Sequence, residues 1–402
     1  MFAMGGEQQG GSSNATESRS AAGFTAFALR LIGHLAGGSN LVFSPLSVYS
    51  ALALVASGAR GRTLQELLDA LGAATRGELA GSVRGVAERA LADRSASGGP
   101  TVAFAGGVWH DAAWALRPGF REAAAASYKA EALAVDFRHK PGKAIRDINR
   151  WVAAATNNLI GSIVEPTMVH EELSLVLASA IYFKGKWETP FAKRDTTVGE
   201  FHLLGGGAVE ASFLSSGRDQ LIAVHDGFKV LELPYRSSPP WSRGDDHLAR
   251  YSMCVFLPDA RDGLPALVER IASGGGLRDH LPRTKVRVGE FRLPKFKLSF
   301  SGSLLSALRD KMGIKAAFDE EQADLFDMAR CRDDPSSPLF VGEVSHKAVL
   351  EVNEEGTVAT ATTTCYMMGS ASGIPLYEWL DDRLLAGLPR WLGRVMGLGS
   401  CI

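Results

Sequence analysis

The residues from Glu354 to Thr364 read Glu-Glu-Gly-Thr-Val-Ala-Thr-Ala-Thr-Thr-Thr, and the chemistry they suit is addition of a strand to a sheet. Side chains alternate faces along a strand, so Thr357, Ala359, Ala361 and Thr363 share one face while Val358, Thr360, Thr362 and Thr364 share the other. One face is small and the other largely β-branched. Such a segment slides between existing strands without steric conflict and favours strand geometry once there. Upstream, Val349, Glu351 and Asn353 alternate with Leu350 and Val352 as in a half-buried strand, until Glu354, Glu355 and Gly356 break the pattern, the glycine supplying backbone freedom. The spacing predicts a loop that moves.

Other constellations carry less. His170-Glu171-Glu172 has acid/base groups, but without a second histidine at helical spacing it reads as a solvated turn. Arg283, Lys285 and Arg287 alternate with Thr284, Val286 and Val288, setting three cations on one strand face; a polyanion would fit there, and a solvated face is the simpler reading. The chain has no Gly-x-Ser-x-Gly elbow, Walker loop, His-Glu-x-x-His or Gly-x-Gly-x-x-Gly after a strand, so an enzyme is not expected. Cys254, Cys331, Cys365 and Cys401 are scattered, with no spacing for a metal; free thiols in a reducing compartment are expected, with no metal and no cofactor.

The positioning elements follow from composition and period. The chain has 402 residues, 46% of them hydrophobic, enough for a sizeable core. Its 43 basic and 44 acidic side chains leave a net charge of −1, which offers no bulk field for nucleic acid or anionic membrane. Residues 1–20 are rich in Gly, Ser and Gln without a basic start or apolar core, so a disordered tail and an intracellular location are expected, with non-classical release as the extracellular alternative. The sequon Asn14-Ala15-Thr16 lies in that tail. Phe24, Phe27, Leu31 and Leu35 fall at helical spacing, and residues 47–56 continue a helix opened by Pro45. Residues 102–109 read as a strand, and the apolar run 173–183, too short to span a bilayer, reads as a strand buried on both faces. The breaks at Gly98-Gly99-Pro100 and around Ser237-Ser238-Pro239-Pro240 do not separate two self-sufficient patterns, so one domain is expected.

The run after Gly356 resembles the reactive-loop hinge of the serpins, and further blocks follow in that family's order. They include Asn40-Leu41-Val42-Phe43-Ser44-Pro45-Leu46-Ser47, Gly58-Ala59-Arg60-Gly61-Arg62-Thr63, Tyr182-Phe183-Lys184-Gly185-Lys186-Trp187, Leu233-Pro234-Tyr235, Phe256-Leu257-Pro258 and Leu293-Pro294-Lys295-Phe296-Lys297. Several spacings are similar to those of plant members. The resemblance implies an α+β fold: a single serpin-like domain, residues 21–366, with helices packed around three β-sheets and an exposed reactive loop. It implies a protease inhibitor spent as a suicide substrate, whose partners are serine or cysteine proteases and not nucleic acid or membrane. It further implies a monomer at risk of loop-sheet polymerisation. Glu354, Glu355, Gly356, Thr357, Val358, Ala359, Thr360, Ala361 and Thr362 match the hinge. The family's spacing counted from Gly356 sets the scissile bond at Ser370-Ala371, with no Arg or Lys beside it.

Ser44, Ser47 and His346 match residues that hydrogen-bond beneath the parting strands of the large sheet, and Trp187 matches the tryptophan at its top. Where the family has Asn in that network this chain has Ser179, and an unpaired buried group is expected there, at a cost of about 1–3 kcal/mol. The other departure covers residues 367–402, read as distal loop and a non-family tail. The Asp-His-Pro-Phe-like and Phe-Met-Gly-like blocks are missing, and Leu376, Leu380, Leu384, Leu388, Trp391, Leu392 and Val395 recur at steps of an amphipathic helix interrupted by Pro389. That loss makes a non-inhibitory or defective member the alternative.

Overall fold

In the computed structural model, residues 13–35, 40–89, 91–169, 173–237, 251–273 and 277–369 are described. Seven α-helices are present among them: α1 (Ser13–Leu35), α2 (Pro45–Ser57), α3 (Gly61–Leu71), α4 (Arg76–Arg89), α5 (Pro118–Tyr128), α6 (Pro141–Ala155) and α7 (Leu264–Ser273). The first begins at Ser13, inside the stretch expected to be a tail, because the apolar face from Phe24 onward nucleates a helix that Ala, Glu and Arg can extend backwards. In α2 the proline stands at the first helical position and the Ser44 side chain caps it, accepting from the Ser47 N–H. A left-handed Gly72 (φ 69°) closes α3.

The strands are β1 (Thr101–Asp111), β2 (Trp114–Leu116), β3 (Ala130–Val135), β4 (Leu173–Lys186), β5 (Thr197–His202), β6 (Ala208–Ser215), β7 (Gln220–His225), β8 (Phe228–Pro234), β9 (Ser252–Pro258), β10 (Lys285–Val286), β11 (Arg292–Pro294), β12 (Phe296–Ser303), β13 (Ala329–Cys331), β14 (Leu339–Val352) and β15 (Gly356–Gly369). They form a six-stranded sheet in the order β12-β14-β15-β4-β1-β3, a four-stranded sheet β10-β7-β8-β9, a three-stranded sheet β11-β6-β5, and a two-stranded ribbon of β13 and β2. The ribbon adds to the three sheets expected.

The large sheet divides the core. One cluster, with Tyr49, Leu52, Leu67 and Leu177, joins the early helices to its inner face, and another, with Trp109, Ile148, Val152 and Tyr366, fills the space beneath α6. The run 173–183 is β4, buried along its length as expected, and 102–109 lies within β1.

One expectation is corrected. The loop is not exposed: Gly356–Gly369 is a full strand inside the large sheet, antiparallel to β14 on one edge and to β4 on the other. It extends through Met367, Met368 and Gly369, three residues into the segment read as distal loop and tail. The physical reason lies in the alternation noted above, because small and β-branched side chains satisfy a strand buried on both faces. Without β15, its two neighbours would run parallel to each other, since each is antiparallel to it; parallel pairing is slightly the weaker per residue, so insertion improves the sheet as well as lengthening it.

Candidate functional site

The site is the inserted strand and what holds it. Its leading turn is built by Asn353, whose Oδ1 accepts from the N–H groups of Glu355 (3.0 Å) and Gly356 (3.2 Å), while its own N–H donates to the Gly356 carbonyl (3.1 Å). The turn is fastened to the segment after β4. Trp187 donates its indole N–H to the Asn353 carbonyl and its backbone N–H to the Glu355 carbonyl, both at 2.9 Å, and Phe191 N–H donates to the Glu354 carbonyl at 2.9 Å. The Glu354 carboxylate, nearly buried, accepts from Lys295 Nζ (2.8 Å) and Thr196 Oγ1 (2.9 Å). Burial works to raise its pKa, but the Lys295 and Thr196 contacts outweigh it and hold the carboxyl below its usual range. The Glu355 pair with Lys193 is solvent-exposed and contributes little.

Gly356 must be glycine in this arrangement, because a Cβ there would overlap the Gly185 carbonyl oxygen of the neighbouring strand. The next side chain, Thr357, is buried, and its hydroxyl accepts from Tyr235 Oη at 2.8 Å. Ala359 and Ala361 follow on that face, lining a small apolar cavity with Val42, Phe43, Ile181 and Leu350.

Thr363 lies between His346 of β14 and Ser179 of β4 in one row across the sheet. His346 Nε2 accepts from the Ser44 N–H (3.1 Å), which leaves Nδ1 to carry the proton and donate to Thr363 Oγ1 (2.7 Å). Burial pushes the His346 pKa down to about 3, so the ring is neutral at physiological pH. Ser47 Oγ donates to Ser179, 3.3 Å from its carbonyl oxygen and 3.4 Å from its hydroxyl. Ser44, Ser47, Ser179 and His346 are thus brought together under the inserted strand, and Trp187 is set apart from them at its leading end. The unpaired group expected from Ser179 is not found there, since the short Ser47 side chain reaches it.

The opposite face differs. Thr360, Thr362 and Thr364 are buried with hydroxyls that have no hydrogen-bond partner among the described residues. Farther along the same face, Tyr366 Oη donates to the Ile163 carbonyl (3.0 Å), and Lys347 Nζ of β14 to the Ser162 carbonyl (3.1 Å), tying the sheet to the segment after α6. Cys365, on the face of Thr363, is fully buried, and burial pushes its thiol pKa up.

Ser370 and Ala371 lie outside the described residues, as do His170, Glu171 and Glu172 and the amphipathic tail. Lys285 and its neighbours form an exposed edge: Lys285 and Val286 pair with β7 on one side. No group of three or more His, Cys, Asp or Glu among the described residues could hold a metal. Sequence reasoning missed Thr363, Asn353, Lys295 and Thr196 as parts of the site. Asn353 offered a local signal, an Asn before a turn; the others act on residues 17 to 158 positions away.

A family model described as Serpin (serine protease inhibitor) matches residues 22–377. The chain belongs to the serpins. It is 49% identical over 371 residues to Serpin-Z2A of rice (Oryza sativa subsp. japonica), covering 85% of this chain and 87% of that one. Among solved structures it is similar to the native stressed conformation of Arabidopsis AtSerpin1, with a TM-score of 0.76 and 35% identity over 85% of each chain. It is equally similar to a cleaved Serpin 42Da, with a TM-score of 0.77 and 31% identity over 88% of this chain and 91% of that one. The family and its plant relatives make this chain a member of a protease-inhibitor family with the serpin α+β fold.

Proposed function

We propose that the inserted β15 is the end state of a trap in which this serpin is spent as the substrate of a serine or cysteine endopeptidase. The observation that carries the reading is the pairing of the strand on both edges, with β14 from Thr357 to Gly369 and with β4 from Gly356 to Met368. In the proposed sequence, a protease nucleophile attacks the Ser370 carbonyl and expels the Ala371 amine, leaving an ester or thioester on Ser370. The freed strand then inserts from Gly356 downwards. Its 14 residues span about 45 Å, which carries the acylated protease from one end of the sheet to the other. Strand addition supplies the work, through new main-chain hydrogen bonds and burial of the strand on both faces. The chain supplies no catalytic group of its own in this scheme. Small residues around Ser370 favour elastase-like over trypsin-like targets. We place it as an intracellular monomer, with loop-sheet polymerisation as the hazard of an unpaired sheet.

A second reading rests on the tail: residues 370–402 lack the family's Asp-His-Pro-Phe-like and Phe-Met-Gly-like blocks, as in a member that is cut or inserts its loop and inhibits nothing. Incubation with elastase-like, chymotrypsin-like and papain-like proteases, read on a denaturing gel with fragment masses, separates the two. A covalent band joined through Ser370 is expected; cleaved chain alone, with every protease left active, would establish the non-inhibitory reading.

A further inference from the structure

The first inserted side chain meets a hydrogen-bond donor that no other part of the site explains. Tyr235 is buried, its ring stacked on Trp187 at 4.8 Å and packed edge-on against Phe183 at 5.0 Å. Its backbone is fixed by an N–H bond to the Tyr251 carbonyl (2.9 Å) and an isolated bridge to Trp187. The ring lies where a Gly185 side chain would stand, so the glycine in β4 opens a slot across the sheet beside Thr357, its register partner. Through that slot Tyr235 Oη reaches Thr357 Oγ1 at 2.8 Å. The ring is held by packing, and the partner of its hydroxyl is Thr357.

We infer that Tyr235 is a positioning residue for loop insertion, reading a hydroxyl at position 357 and fixing the register of the strand at its first buried residue. This rests on the insertion reading above. One residue of slippage would bring Val358 or Gly356 to the donor, neither with an acceptor side chain, and would exchange the two faces of the strand. A buried donor left unpaired costs more than a made bond gains, so the selection is against wrong registers as much as for the right one.

The test uses the full chain as Tyr235→Phe, Thr357→Val, the double variant and Thr357→Ser, each cut in the loop by an elastase-like protease and then pulse-labelled with iodoacetamide. Peptide masses give the rate at which Cys365, fully buried in β15, becomes protected. Tyr235→Phe keeps the stacked ring, so the core remains intact. Each single loss is expected to slow protection by about fivefold, the double variant to be no slower, and Thr357→Ser to match the parent chain. Equal slowing by Tyr235→Phe with and without the Thr357 hydroxyl, failure of serine to restore the rate, or a Cys365 that stays reactive in the cleaved parent chain would overturn it. Failure of the parent chain to form covalent protease complexes, with the coupling still present, would remove the trap and leave the positioning role standing.

Discussion

The two faces of β15 both carry threonines, and those threonines meet different environments. On the face toward α2, Thr357 and Thr363 each have a partner, Tyr235 and His346, and the alanines between them leave room for the core. Toward α6, Thr360, Thr362 and Thr364 are as deeply buried and their hydroxyls have no partner among the described residues. Threonine on the first face specifies where the strand stops; on the second it supplies β-branched bulk and carries a polar cost. A buried unpaired hydroxyl costs about 1–3 kcal/mol, so the second face weakens an insertion that the first one directs. A trap needs both properties, because a loop that inserted without resistance would not wait outside the sheet.

The largest effect removes both faces at once. Gly356→Val sets a side chain against the Gly185 carbonyl and is expected to block insertion at its first step, at a cost of about 3 kcal/mol or more. In the protease assay the covalent product would fall by at least tenfold while cleavage continued; undiminished complex would show that the strand enters another way.

A second experiment addresses the donor beneath Thr363. The folded His346 pKa, about 3, is below the ordinary value of 6.5, so the unfolded chain binds more protons between those values and stability falls as pH drops. The loss is about 1.4 kcal/mol per pH unit from this one residue once pH is below the ordinary value. Urea midpoints taken from pH 6.5 to 5.0 should show it, and His346→Gln should remove that part of the slope; an unchanged slope would mean the ring is not buried neutral against Ser44 and Thr363.

The finest test exchanges hydroxyl for methyl on each face. Thr363→Val strands the His346 donor and is expected to cost about 1–3 kcal/mol, whereas Thr362→Val and Thr364→Val remove unpaired hydroxyls and are expected to gain about 1 kcal/mol each. Thermal midpoints of the three single variants compare the faces directly. The same sign for all three would end the distinction between them.

Much of this was legible in the chain. The alternation from Thr357 to Thr364, the buried run in β4 and the proline-opened α2 are local patterns, and the ordered blocks gave the family. The expected exposed loop and the actual inserted strand share one sequence, because a segment suited to slide into a sheet is equally well described outside it. The substitution at Ser179 suggested an orphaned group that Ser47 in fact reaches, 132 residues away, and the orphaned hydroxyls lie on the other side of the strand.

The sequence by itself determined that residues 356–369 can be a strand, which side chains share a face, and that a glycine stands at its head, since these follow from backbone sterics and a period of two. Only the tertiary structure decided that this strand lies between β14 and β4, that Tyr235 and His346 meet its threonines on one face, and that the threonine hydroxyls of the other face have no partner among the described residues. Those outcomes depend on groups far apart in the chain arriving within 3 Å of one another, which no local pattern encodes.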